Sequence, residues 1–270
     1  LKEKIDKGAR AAGAVRSCIV VDEEGPWMRG SAAAVERGRV HSGDVVISCE
    51  PTRLRLITAQ KAVMWYEAVF FGKGAHGAAP HMGADAIQAA AHTVIQLQEK
   101  VKTMEDLHPL LGRPTLVTSV IAAGRKTNVV ADRCRMEIDF RFVPPLTLSG
   151  ARDFIEEAAA WACDRVPGTR AVVTNLSVDR PPVISEPEGE GARRIREAVI
   201  NVTGGEPESG GVGYYTDAGL VAVRTGNKQS YVFGPGNIEN AHAPDEFIEV
   251  SELQAATRIL AGLADGFALE

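Results

Sequence analysis

The chain has 270 residues, a net charge of −5, 45% hydrophobic residues and 24% charged ones. That is the composition of a globular protein, and the acidic balance argues against nucleic acid or an acidic membrane surface as the main partner. No apolar run reaches the length of a bilayer span, and Cys18, Cys49, Cys134 and Cys163 show no CxxC pairing, so they read as small buried residues of a reducing, cytoplasmic compartment.

The opening stretch, residues 1–13, is charged and helical in character and has no N-cap before it, so it reads as the middle of something longer. Arg16 to Val21 is a short β-branched run with the pattern of a buried parallel strand, and it leads into Asp22, Glu23, Glu24 and Gly25. Read alone, those carboxylates form a solvated turn. Met28 to Arg37 predicts a helix ended by Gly38. Asp44 to Ser48 predicts a second apolar strand, which also runs into a carboxylate, Glu50, before Pro51 and Thr52. Two neighbouring strands that end in glutamate fit a site at the carboxyl edge of an open α/β sheet.

The pattern then changes. Met64 to Phe71 predicts a strand, followed by a glycine-rich turn that carries His76. Ala84 to Lys100 predicts an amphipathic helix. Leu116 to Ala122 predicts a strand, and a turn leads to Asn128. Cys134 to Val143 alternates strictly, with Met136, Ile138, Phe140 and Phe142 on one face, as a one-sided strand does. Leu148 to Arg165 predicts a second helix and Ala171 to Val178 a fourth strand. The order β-α-β-β-α-β is that of a ferredoxin-like sandwich, inserted between two parts of another domain. The boundaries expected are 1–62 and 179–270 for the divided domain and 63–178 for the insert.

After a proline-rich linker, Gly191 to Thr203 predicts a helix, Ser209 to Gly213 a glycine-rich loop, Ala218 to Val223 a short helix opened by Thr216 and Asp217, and Gln229 to Val232 a buried strand. Gly234, Pro235 and Gly236 then force a tight turn before His242, and Ser251 is expected to cap a last helix. A lone loop histidine is more often solvated than a ligand.

Six stretches in order are VVDEEG at 20–25, SCEPT at 48–52, GKGAHGAAPHMGADAI at 72–87, TNVVAD at 127–132, EIDFR at 137–141 and FGPGNIENAHAPDEFIEV at 233–250. Together they resemble the zinc-dependent amidohydrolases that include acetylornithine deacetylase, succinyl-diaminopimelate desuccinylase, aminoacylase and glutamate carboxypeptidase. The resemblance implies an open-sheet α/β zinc-hydrolase domain with a ferredoxin-like lid. It implies Glu23 as the general base, Glu24 and His242 as ligands of one zinc, and Glu50 as a ligand of the other, with cobalt or manganese as alternatives. His76 is similar to a lid histidine that stabilises the oxyanion in the partner's site, Asn128 and Arg141 to residues that hold the substrate carboxylate, and Gly234 to a pocket-lining residue. The substrate implied is an N-acyl amino acid or small peptide, and the assembly a homodimer through the lid. These residue types suit the chemistry: zinc takes carboxylate and imidazole donors, its bound water needs a base, and arginine pairs with carboxylate.

The H-x-D motif and bridging Asp of that family have no counterpart here, and none of the six histidines is followed two residues on by Asp. The expectation is that roughly a hundred upstream residues of a full catalytic domain are absent. The 270 residues alone are then expected to be inactive. The alternative is a non-catalytic chain that keeps the lid.

Overall fold

A computed structural model describes residues 6, 10, 12–104 and 108–269. The expected helical character of the opening stretch falls mostly outside the described residues. The chain divides into two compact units, one made of Leu1–Gln60 with Val183–Glu270, the other of Lys61–Pro182.

The second unit is a four-stranded antiparallel sheet in the order β4-β5-β3-β6, from β3 (Ala62–Phe71), β4 (Thr115–Ala123), β5 (Arg133–Phe142) and β6 (Arg170–Asn175). Strict alternation puts Cys134, Met136, Ile138, Phe140 and Phe142 of β5 beside Met64, Tyr66, Ala68 and Phe70 of β3 on one buried face. Helices α2 (Ala86–Lys102) and α3 (Leu148–Arg165) cover that face with Ala86, Ala89, Leu97, Ile155 and Ala159. Alanine on the helices leaves room for the rings of the sheet, and Phe140 stacks on Phe154 of α3 at 5.3 Å between centroids. Asp85 caps α2 through the Ile87 amide at 2.9 Å, and Thr147 caps α3 through the Gly150 amide at 3.1 Å. The ferredoxin-like order expected from the sequence is the one observed.

The first unit has a five-stranded mixed sheet built from β1 (Val46–Ser48), β2 (Leu56–Gln60), β7 (Val183–Ile184), β8 (Ser209–Val212) and β9 (Ser230–Val232). β1 lies parallel to β9, with Val46 opposite Ser230 and Ser48 opposite Val232. β2 pairs parallel with β8 and antiparallel with β7. Helices α1 (Arg29–Glu36), α4 (Glu190–Thr203), α5 (Asp217–Thr225) and α6 (Val250–Ala268) complete the unit. Leu56, Ile195, Val199, Tyr231, Phe233, Ile259 and Leu263 form its core.

Four expectations are corrected here. Residues 16–21 form no strand, and Ile19 and Val21 are exposed at 96% and 73%. A β-branched run becomes a strand only with a ladder partner, and β1, the edge of its sheet, pairs only with β9 among the described residues. The glycine-rich stretch from Ser209 is not a loop but strand β8. The Arg55 guanidinium lies over Gly210, 2.6 Å from where a Cβ would stand. The last helix starts at Val250, with Glu249 and not Ser251 at the N-cap position. Of the cysteines, Cys134 is buried while Cys18 and Cys49 are exposed, and all four are free thiols.

Candidate active site

The acidic turn after residue 21 is built by Asp22. Its backbone is left-handed at φ 65°, and its side chain accepts a hydrogen bond from the Arg29 amide at 3.3 Å, at the start of α1. A Cβ on Gly25 would collide with the Asp22 carboxylate at 1.9 Å, so the turn closes only with glycine there. Glu23 is half-buried and Glu24 exposed on this turn.

The second loop is tied to the end of β1. The Gly234 amide donates to the Thr52 hydroxyl at 3.1 Å, and that hydroxyl shares its one proton between the Arg55 carbonyl at 2.9 Å and the Gly234 carbonyl at 3.1 Å. A Cβ on Gly234 would stand 2.6 Å from the Glu50 carbonyl. The Gly236 amide donates to Glu252 of α6 at 2.8 Å. This stitching carries the chain to His242, which is left-handed at φ 60° and whose amide donates to Glu246 at 3.1 Å. The imidazole Nε2 of His242 then lies 3.7 Å from Oε1 of Glu24.

Glu50 sits just past the end of β1, half-buried. Burial pushes its carboxyl above the usual range, with the charges of Asp217 and Glu24 adding to the rise and a Ser48 hydrogen bond opposing it. Asp217, the first residue of α5, is likewise pushed up by burial, against a hydrogen bond from the Ser31 hydroxyl of α1. Burial also raises the Tyr214 hydroxyl, which donates to the Pro51 carbonyl at 3.4 Å and feels the Glu50 charge. Sequence reasoning passed over Asp217, because an Asp at the start of a short helix reads as a cap.

The remaining expected residues belong to the second unit. His76 lies in a short bridge with Val129, and the Gly77 amide donates to the Asn128 carbonyl at 2.8 Å, so His76 and Asn128 are neighbours. The His76 Nδ1 accepts from the Ala78 amide at 3.1 Å, which leaves Nε2 as the protonated, donating nitrogen of the neutral ring. Arg141 is not with them. Phe71 pairs with Arg133 and Val63 with Arg141, so Arg141 occupies the far end of β5, roughly 25 Å from the His76 end at about 3.4 Å per residue. Its guanidinium bonds both oxygens of Asp139, at 3.0 and 3.1 Å, and Asp139 also accepts from Trp65 at 3.2 Å.

Within the first unit the structure therefore brings Glu24 to His242 and sets Glu50 within electrostatic reach of Glu24 and Asp217. Zinc takes about four ligands, and two donors 3.7 Å apart suit one shared cation. Among the described residues, however, no three His, Cys, Asp or Glu side chains form a metal-holding group. The donor set does not make a complete metal site. Two cavities lie elsewhere, one lined by Arg53, Arg55 and Glu208, the other by Phe71, Arg125 and Arg133.

Residues 58–166 match the peptidase dimerisation domain of the M20 type. The chain is 29% identical over 228 residues to the acetylornithine deacetylase of Erwinia tasmaniensis, covering 83% of this chain and 57% of the relative. It is 28% identical over 247 residues to that of Myxococcus xanthus, covering 90% of this chain and 62% of the relative. The aminopeptidase PepT of Bacillus cereus shares the fold at a TM-score of 0.72 and 20% identity, over 92% of this chain and 62% of that one. An M20 family metallo-carboxypeptidase of Sulfolobus solfataricus shares it at 0.67 and 15%, over 87% of this chain and 66% of that one. The chain thus spans about three fifths of the curated relatives' length.

Proposed function

We propose, for a chain that is a relative of the acetylornithine deacetylases and carries the M20 peptidase dimerisation domain, that the whole protein hydrolyses the amide bond of an N-acyl amino acid or small peptide. The observation that carries the reading is the approach of Glu24 to His242, 3.7 Å apart from opposite ends of the chain and within electrostatic reach of Glu50. In this reading Glu23 takes the proton of the attacking water and passes it to the leaving amine. His76, with Nδ1 held by the Ala78 amide, offers Nε2–H to the oxyanion. The dimerisation domain supports a homodimer through the second unit, in which His76 of one subunit serves the other's site. Asn128 would hold the substrate carboxylate and Gly234 would line the pocket; Arg141, at the other end of β5 and held by Asp139, does not reach the Asn128 end of its own subunit.

A divalent metal belongs to the proposal because one structural neighbour is a metallo-carboxypeptidase. Zinc, or cobalt or manganese, as one ion or two, would supply Lewis-acid polarisation, with Glu24 and His242 among the ligands of one ion and Glu50 a ligand of the other. Among the described residues those three do not complete a site, and the proposal expects no hydrolysis from the 270 residues alone.

A second reading is a non-catalytic chain that keeps the dimerisation fold. It is favoured by Arg141, whose guanidinium is already held on two bonds by Asp139. Assays of N-acetylornithine, other N-acyl amino acids and dipeptides, on a chain completed to the relatives' length, separate the two. The first reading expects turnover that Glu23→Gln lowers by about 100-fold or more. No turnover on the whole panel supports the second.

A further inference from the structure

One end of the second unit's sheet is basic on an otherwise acidic protein. Phe71 of β3 pairs with Arg133 of β5 on one side and Arg170 of β6 on the other, so the three stand in one row across the strands. The Arg170 guanidinium lies 4.2 Å from the Phe71 ring centroid and that of Arg133 5.7 Å. Arg125 and Arg135 line the same end, but Asp132 holds Arg125, and Glu67 and Glu137 hold Arg135. Arg133 and Arg170 have no carboxylate partner among the described residues, and both are exposed. Lys73 and Lys126, exposed on the adjoining turns, are likewise without an ion pair among the described residues. On the β4 side of Phe71 and Arg133 opens a cavity of about 690 Å³, lined also by Ala122, Ala123, Gly124, Arg125, Arg135 and Asp132; Arg170 does not line it, so the Arg133–Phe71–Arg170 row is an open surface beside that cavity.

We propose that this end of the sheet binds a small organic or inorganic anion carrying two oxyanion groups. Contact with the Phe71 ring orients two guanidiniums that have no carboxylate partner among the described residues. A guanidinium fork suits carboxylate or phosphate oxygens equally, so the shared chemistry is an oxyanion at each arginine. A single-headed anion satisfies one arginine. A two-headed one, lying across the Phe71 ring, satisfies both. These residues all belong to the second unit, whereas Glu24 and His242 belong to the first, and binding here needs no turnover to detect.

Calorimetric titration of the 270-residue chain with citrate, pyrophosphate and acetate, at about 0.15 M salt so that diffuse attraction is screened, tests this. Saturable one-to-one binding of citrate or pyrophosphate is expected, about tenfold or more tighter than acetate, and weakened about tenfold by Arg133→Ser and by Arg170→Ser. Arg37→Ser, an exposed arginine of the other unit, leaves it unchanged. Binding of citrate alone marks a carboxylate ligand, and of pyrophosphate alone a phosphate ligand. Near-ultraviolet circular dichroism checks that the variants are folded. No saturable binding of either two-headed probe, or folded Arg133→Ser and Arg170→Ser chains that bind as the parent does, overturns the proposal.

Discussion

Nε2 of His242 lies 3.7 Å from Oε1 of Glu24, although the two residues sit near opposite ends of the sequence. Both side chains are largely exposed, at 73% and 79%, so their pairing contributes little to folding. The proposed function gives the pair a role in holding a metal and none in holding the fold. His242→Ala and Glu24→Gln should therefore leave the melting temperature within about 2 °C of the parent. On a chain completed to the relatives' length, each should weaken zinc binding by about tenfold or more. Thermal melts and zinc titration check both statements, and a large loss of stability would make the pair structural.

The loop before His242 depends on glycine for a steric reason. A Cβ on Gly234 would meet the Glu50 carbonyl at 2.6 Å, and backbone cannot move aside cheaply. Gly234→Ala should cost about 1–3 kcal/mol in denaturant unfolding. Gly43→Ala, where a Cβ would meet nothing within 4 Å, should stay within about 0.5 kcal/mol. Equal costs at the two positions would contradict the close approach.

Stability should fall at alkaline pH because of buried tyrosines. Tyr66 is fully buried, and its hydroxyl is pushed up to about 12, by burial first and then by the Asp179 charge. Tyr214 and Tyr231 are also raised, again chiefly by burial. In the unfolded chain these hydroxyls ionise near their ordinary value of about 10. The raised folded values favour the protonated form, so this contribution is complete below about pH 10 and is lost as pH rises toward 12. Tyrosinate absorbance should thus lag behind that of the denatured protein, with falling stability over the same range. All four tyrosines ionising together near 10 in the folded protein would contradict this.

The second unit was legible chiefly because β5 is buried on one face only. Cys134 to Phe142 writes that face into the sequence at every second residue. The first unit was less so. Leu56–Gln60 is buried at all five positions, so it has no alternation, and it was not recognised as a strand. Residues 16–21 look like the same kind of strand but have no ladder, and pairing is a long-range property that a local pattern does not carry. Of the candidate site, Glu23, Glu24, Glu50 and His242 were nameable from motifs as expectations, and the fold brings Glu24 to His242. Asp217 was not, because its partner Ser31 is far away in sequence and only the fold brings them together.

The central claim, that this chain supplies part of a metal-dependent amidase site and not all of it, is tested most directly by zinc calorimetry with a parallel assay of N-acetylornithine hydrolysis. Both are run on the 270 residues and on a chain completed to the relatives' length. The account predicts weak zinc binding and no turnover for the 270 residues, and tight binding with turnover for the completed chain. Tight binding of two zinc ions with turnover by the 270 residues alone would contradict it, and would mean that other residues hold the metal.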